Sequence, residues 1–205
     1  MPDVRRLPIA ALSAAVLAVL PHPALAHLVS ARFGDFYGGM LHPLLSLESL
    51  LPWIALGFLA GMQDVRAGRW MLLAFPLAIA LGAAGSLWDA GIDEPVTAAN
   101  LLSFVLIGGL VVLGQPIPSA ILLFLGALLG LAQGWENGLA INADTNVGLF
   151  ITGVTVAGYI AVTLVTAATA TLLRRTDWAR IAVRAAGSWI TAIGLLVVGV
   201  KLATT

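Results

Sequence analysis

The sequence predicts an all-α fold: a polytopic membrane helical bundle, with six transmembrane helices after a cleaved signal peptide. Three observations predict it. Hydrophobic residues make up 60% of the 205 and charged residues only 10%, against about 45–50% apolar and about 25% charged in a soluble domain. Mean hydropathy is +1.01. The apolar residues also fall in runs close to the ~20 needed to cross a hydrocarbon core, separated by short breaks that carry most of the charge. Lipid cannot satisfy backbone polar groups, so such runs are helices rather than open strands. This pattern excludes a soluble enzyme, a disordered chain and a nucleic-acid binder of the basic-patch kind. With no cysteine in the chain, disulfides, thiolate metal sites and cysteine nucleophiles are excluded as well.

The first element is read as a leader. Arg5 and Arg6 precede an apolar run over 7–20, too short to span comfortably, and Pro21-His22-Pro23 breaks it. Ala24-Leu25-Ala26 supplies the small-x-small pattern of a signal-peptidase site. Cleavage there makes 1–26 the signal peptide and 27–205 a single transmembrane domain. It also puts His27, with its free amine, on the outer face. The spans are then expected at 43–62, 70–88, 97–113, 119–135, 147–173 and 185–203.

Charge tests the direction of threading. With an outer N-terminus, the breaks holding Arg66, Arg69, Arg174, Arg175, Arg180 and Arg184 face the cytoplasm, while only Arg32 and Lys201 lie outside. That satisfies the positive-inside rule. It predicts a bacterial inner membrane protein with both mature termini outside. Asp89, Asp93, Glu94, Glu136 and Asp144 fall on the outer side, with the first three read as a solvated loop. Trp70, Trp88, Trp135 and Trp178 fall near the expected interfaces, as an aromatic belt does.

Packing signals come from small residues. Gly126, Gly130, Gly134 and Gly138 recur every four residues, forming one narrow stripe that admits a neighbouring backbone. Gly57 and Gly61 repeat the device in the first span. Thr152, Thr155, Tyr159, Thr163 and Thr166 form a polar stripe on the fifth, which either hydrogen-bonds a neighbouring helix or lines a permeation path.

Ionisable groups inside spans are costly and tend to be functional. His42 precedes Pro43, which suits the first turn of a helix. Glu48 then sits ~9 Å further in at 1.5 Å per residue. Gln133 and Glu136 share a face near the outer end of the fourth span. Both clusters lie in the outer half and at matching depth, with His27 beginning on the same side. Carboxylates, an imidazole and an amide carbonyl facing one cavity make a divalent metal cation site, and acidic outer loops raise the local cation concentration. Each residue also has a structural reading: His42 as a cap, Glu48 paired with Arg32 or the mature amine, Glu136 at an interface, Gln133 in an interhelical hydrogen bond. No enzyme signature is present. There is no phosphate loop, no three-histidine set in the mature chain and no nucleophile with an adjacent base. No prosthetic group and no nucleic acid partner are expected. The expected partners are the lipid bilayer and a divalent metal ion.

Three features carry a family resemblance, the first being a leader that ends in Ala24-Leu25-Ala26 followed by His27. Gly38-Gly39-Met40-Leu41-His42-Pro43-Leu44-Leu45-Ser46-Leu47-Glu48-Ser49 resembles the first-span motif His-Pro-x-x-Gly-x-Asp-His of the HupE/UreJ family. Gly130-Leu131-Ala132-Gln133-Gly134-Trp135-Glu136 resembles that family's fourth-span motif Gly-x-Ala-His-Gly-x-Glu. The resemblance implies a permease for nickel or cobalt, or an accessory membrane protein of hydrogenase or urease assembly, with a homo-oligomer or a metalloenzyme-maturation partner in prospect. It implies metal ligands at His42, Glu48, Gln133 and Glu136. The departures are Ser46 for Gly, Glu48 for Asp, Ser49 for His and Gln133 for His. Nickel and cobalt favour nitrogen donors, so the loss of two imidazoles shifts the expected preference toward manganese, magnesium or weakly held cobalt. It also leaves open that transport has been lost.

Overall fold

The computed structural model describes residues 34–88 and 91–204. The expected signal peptide, His27, Arg32 and Asp89 lie outside the described residues. Seven α-helices follow in order: α1 (Asp35–Leu45), α2 (Leu47–Gly61), α3 (Val65–Gly85), α4 (Asp93–Leu113), α5 (Ser119–Gly138), α6 (Val147–Arg175) and α7 (Ala179–Thr204). A 3₁₀ turn, Ser86–Trp88, extends α3. Among the described residues there is no strand. The protein is a polytopic helical membrane bundle. Among the described residues five helices are long and apolar enough to cross a membrane, and the bent pair α1–α2 makes a sixth span when counted as one.

The helix ends follow local chemistry. Asp64 accepts from the Arg66 amide at 3.0 Å and caps α3, and Asn146 caps α6 through the Leu149 amide at 3.1 Å. These side chains replace partners that the first turn of a helix lacks. Gly114 ends α4 in the left-handed region at φ 64°, where a residue without Cβ carries no steric penalty. Most spans extend beyond the expected bounds by up to six residues, because polar residues such as Asp93 and Arg180 continue the helices past the apolar runs.

The first span differs most from expectation. A continuous helix over 43–62 is not formed. The chain breaks at Ser46, whose backbone is extended at φ −95° and ψ 118°, and the two segments meet at 75°. His42 therefore lies in the last turn of α1 rather than the first turn of a span, and Glu48 lies in the first turn of α2 rather than deep within a helix. An acidic side chain there offsets the positive end of the helix dipole.

Close backbone approach organises the bundle. The α5 glycine stripe seats on α3. A Cβ on Gly130 would stand 2.6 Å from the Phe75 carbonyl oxygen, and one on Gly138 would stand 2.8 Å from that of Ala83. The stripe therefore grips the second span. Gly57 and Gly61 seat α2 on α6, Gly39 and Gly153 bring α1 onto α6, and Gly108 and Gly187 bring α4 against α7. Between them the core is filled by Trp53, Leu56, Phe75, Ile79, Ile107 and Val154. Leu77 and Leu81 of α3 and Leu195 and Leu196 of α7 point outward, as lipid-facing residues do.

These registers set the two ends. Arg184 donates from Nε to the Val112 carbonyl at 2.7 Å, and the Ile117 amide donates to Gln63 Oε1 at 3.0 Å. That end also holds Arg66, Arg69, Arg174, Arg175 and Arg180. Glu48, Asp93, Glu94, Glu136 and Lys201 lie at the other. The described arginines thus share one end of the bundle, as the alternation of spans requires.

Gly130→Val is expected to force α3 and α5 apart and destabilise the fold by about 1–3 kcal/mol, the usual cost of overpacking. A lowered thermal midpoint of the detergent-solubilised protein would register it. An unchanged midpoint would mean that the glycine contact is not a packing constraint.

Candidate functional site

Pro52 lies inside α2. Proline has no N–H, so it cannot bond the carbonyl four residues back. That carbonyl belongs to Glu48, and it is served from outside the helix: Gln133 donates to it from Nε2 at 3.1 Å. Gln133 is wholly buried. One turn on, Asn137 donates from Nδ2 to the Gln133 carbonyl at 2.7 Å and to Ser49 Oγ at 3.3 Å. Ser49 and Asn137 are buried too. A polar network thus ties the start of α2 to the end of α5.

The same two helix ends carry the carboxylates. Glu48 and Glu136 line one pocket of about 90 Å³, with Thr97 and Asn100 of α4 and Lys201 of α7 completing its polar wall. Phe104 and Val197 close it on the apolar side. Trp135 holds α4 in place by donating from its indole to Asp93 at 2.7 Å. Two sequence expectations change here. Trp135 is buried against α4 instead of joining the interfacial belt, and Asp93 and Glu94 open α4 instead of forming a loop. Trp70, Trp88 and Trp178 are exposed.

The amide groups show a shared pattern. Asn100 donates from Nδ2 to the Ala132 carbonyl at 3.1 Å, as Gln133 and Asn137 donate to carbonyls. With their nitrogens so committed, Asn100 Oδ1, Gln133 Oε1 and Asn137 Oδ1 are left buried without a hydrogen-bond partner. Each such acceptor carries a desolvation cost of about 1–3 kcal/mol that a donor or a cation would offset.

Of the expected site residues, the structure brings Glu48, Gln133 and Glu136 together. His42 lies elsewhere on α1, its ring tilted against Phe150 with centroids 6.1 Å apart, and it is not part of the pocket lining. Among the described residues no three His, Asp or Glu side chains group closely enough to hold a metal ion. Asn100, Asn137, Thr97 and Lys201 were missed in the sequence. Amides and a lysine within or beside apolar runs were the available signal. The α6 stripe makes no interhelical hydrogen bonds: Thr152 bonds Gly148 of its own helix, while the hydroxyls of Thr155, Thr163 and Thr166 are buried without partners.

A membrane bundle with a broken first span and an acidic, amide-lined pocket at one end is the class of protein these features define. Residues 15–197 match the family model described as HupE / UreJ protein, and the chain belongs to that family, whose members are known as nickel/cobalt transport or accessory proteins. No curated protein and no solved structure gives a significant match. Both positions where the resembled motifs carry a histidine that this chain lacks, Ser49 and Gln133, meet here through Asn137. The two substitutions therefore lie in one network.

Gln133→Leu is expected to leave the Glu48 carbonyl unpaired and cost about 1–3 kcal/mol of stability. In a Pro52→Ala background the restored amide at position 52 takes that carbonyl, so the cost of Gln133→Leu falls. A double-mutant cycle on thermal or denaturant midpoints measures the coupling. Equal costs in the two backgrounds would remove the assignment.

Proposed function

We propose that the protein is a permease for a divalent metal cation, captured at the Glu48–Glu136 pocket. The observation that carries this reading is the meeting of two carboxylates from spans far apart in sequence beside the unpartnered oxygen of buried Asn100. Buried polar groups at the break of a membrane span are characteristic of transporter sites. Glu48, Glu136, Asn100 and Thr97 offer only oxygen, which suits manganese or magnesium better than nickel or cobalt. Gln133 serves as a positioning residue through the Glu48 backbone. The reading needs no prosthetic group and no enzymatic step. The arginine-rich end faces the cytoplasm by the positive-inside rule, which puts the pocket on the outer face of a bacterial inner membrane.

A second reading is a non-transporting accessory protein of metalloenzyme assembly. It is favoured by the absence of any His, Asp and Glu cluster of metal-binding size among the described residues. It predicts a stable co-purifying partner and no flux of nickel, cobalt, manganese, zinc or copper in proteoliposomes.

In cells expressing the full chain, Glu48→Gln and Glu136→Gln are each expected to reduce manganese accumulation to background. Uptake unchanged in both variants would dismiss the site. Flux of any tested ion in proteoliposomes would dismiss the accessory reading.

A further inference from the structure

We propose that Lys201 is the resident counter-ion of this pocket: its ammonium offsets one of the two carboxylate charges in the metal-free state, and a divalent cation binds by displacing it. The inference rests on the cation reading above and names the residue that sets which cation charge the site accepts.

Lys201 is the sole lysine of the chain, whose other fixed cations are all arginine. It lies near the end of α7 and lines the pocket with Glu48 and Glu136, one turn beyond Val197 on the same wall. Its position is imposed by packing elsewhere. Gly187 of α7 stands against Val111 and the Gly108 backbone, and Gly194 stands against Phe104. With α4 and α7 antiparallel, that register brings position 201 beside Thr97. The side chain is therefore delivered to the carboxylates by glycine contacts that do not involve it.

Two carboxylate charges in one pocket repel each other, and a positive charge near them offsets that repulsion. Lysine suits a displaceable role better than arginine. Its ammonium is a compact charge on a flexible stem, without the planar fork that locks arginine onto a carboxylate, and it can withdraw toward water while its methylenes stay on the apolar wall. The charge balance then selects the ion. With both glutamates ionised, the ammonium leaves one negative charge uncompensated. A divalent cation taking its place leaves none, whereas a monovalent one leaves that charge as before. Asn100 supplies an independent sign of a ligand. It lines the pocket and is 3% exposed, its nitrogen is committed to Ala132, and its oxygen has no partner.

The test uses the purified full chain in lipid nanodiscs with Mn²⁺ as the probe. Lys201→Met is expected to lower the half-saturating Mn²⁺ concentration about tenfold, because the competing charge is gone, while Lys201→Arg keeps the native value or raises it. Binding to Lys201→Met that equals the native value, or is weaker, overturns the proposal. A second measurement needs no variant. Acylation of Lys201 in the native chain, followed by peptide mapping, is expected to accelerate when Mn²⁺ is added, since the displaced amine is no longer paired with the carboxylates. Acylation unchanged or slowed by Mn²⁺ overturns the proposal. If Mn²⁺ binds the native chain and depends on Glu136, but neither Lys201 readout moves, only this inference falls. If neither the native chain nor Lys201→Met binds Mn²⁺, the cation reading falls with it.

Discussion

The carbonyl of Glu48 lacks the amide that a helix would ordinarily supply four residues on, and the site is arranged around that fact. Pro52 withholds the amide that would have bonded it, and hydrocarbon offers no water in its place. Gln133 answers from α5. One hydrogen bond thereby sets the depth of α2 against α5 and brings the carboxylates at their ends into one pocket. The break at Ser46 belongs to the same arrangement. It turns α1 away at 75° and leaves Glu48 in the opening turn of a half-length helix.

Division of labour on α5 makes this possible. Its glycine face is seated on α3 so closely that backbone meets backbone. The helix therefore cannot rotate, and Gln133, Glu136 and Asn137 are held toward α2 and α4. Packing through small residues is the main source of cohesion where lipid tails are as apolar as leucine. The polar network adds orientation at one end, and the arginines mark the other.

The pocket's chemistry differs from what the family motifs imply. Where those motifs carry imidazoles, this chain places Ser49 and Gln133, joined through Asn137. Amide nitrogens are spent on backbone carbonyls, so the oxygens remain as acceptors. Oxygen donors and two carboxylates favour a harder ion than nitrogen donors do. Lys201 adds a positive charge to the pocket wall.

Much of the architecture was legible in the chain itself. Long apolar runs fix where helices lie, since a membrane leaves the backbone few alternatives, and the four-residue glycine repeat announces a close helix contact. The gathering of the described arginines into alternate breaks fixes which ends lie together. Glu48, Gln133 and Glu136 could be placed at one depth by counting residues along alternating spans. The partner of the glycine stripe could not, because a stripe specifies closeness without naming the neighbour. The break at Ser46 was hidden within an apolar run whose composition is the same for a straight span or a bent one. Asn100, Asn137 and Lys201 come from separate helices. Their relation to the carboxylates depends on helix rotation and register, which are set by backbone contacts between segments distant in sequence. Composition and periodicity thus determined the spans and their polarity, while only the packed bundle decided which polar groups share a pocket.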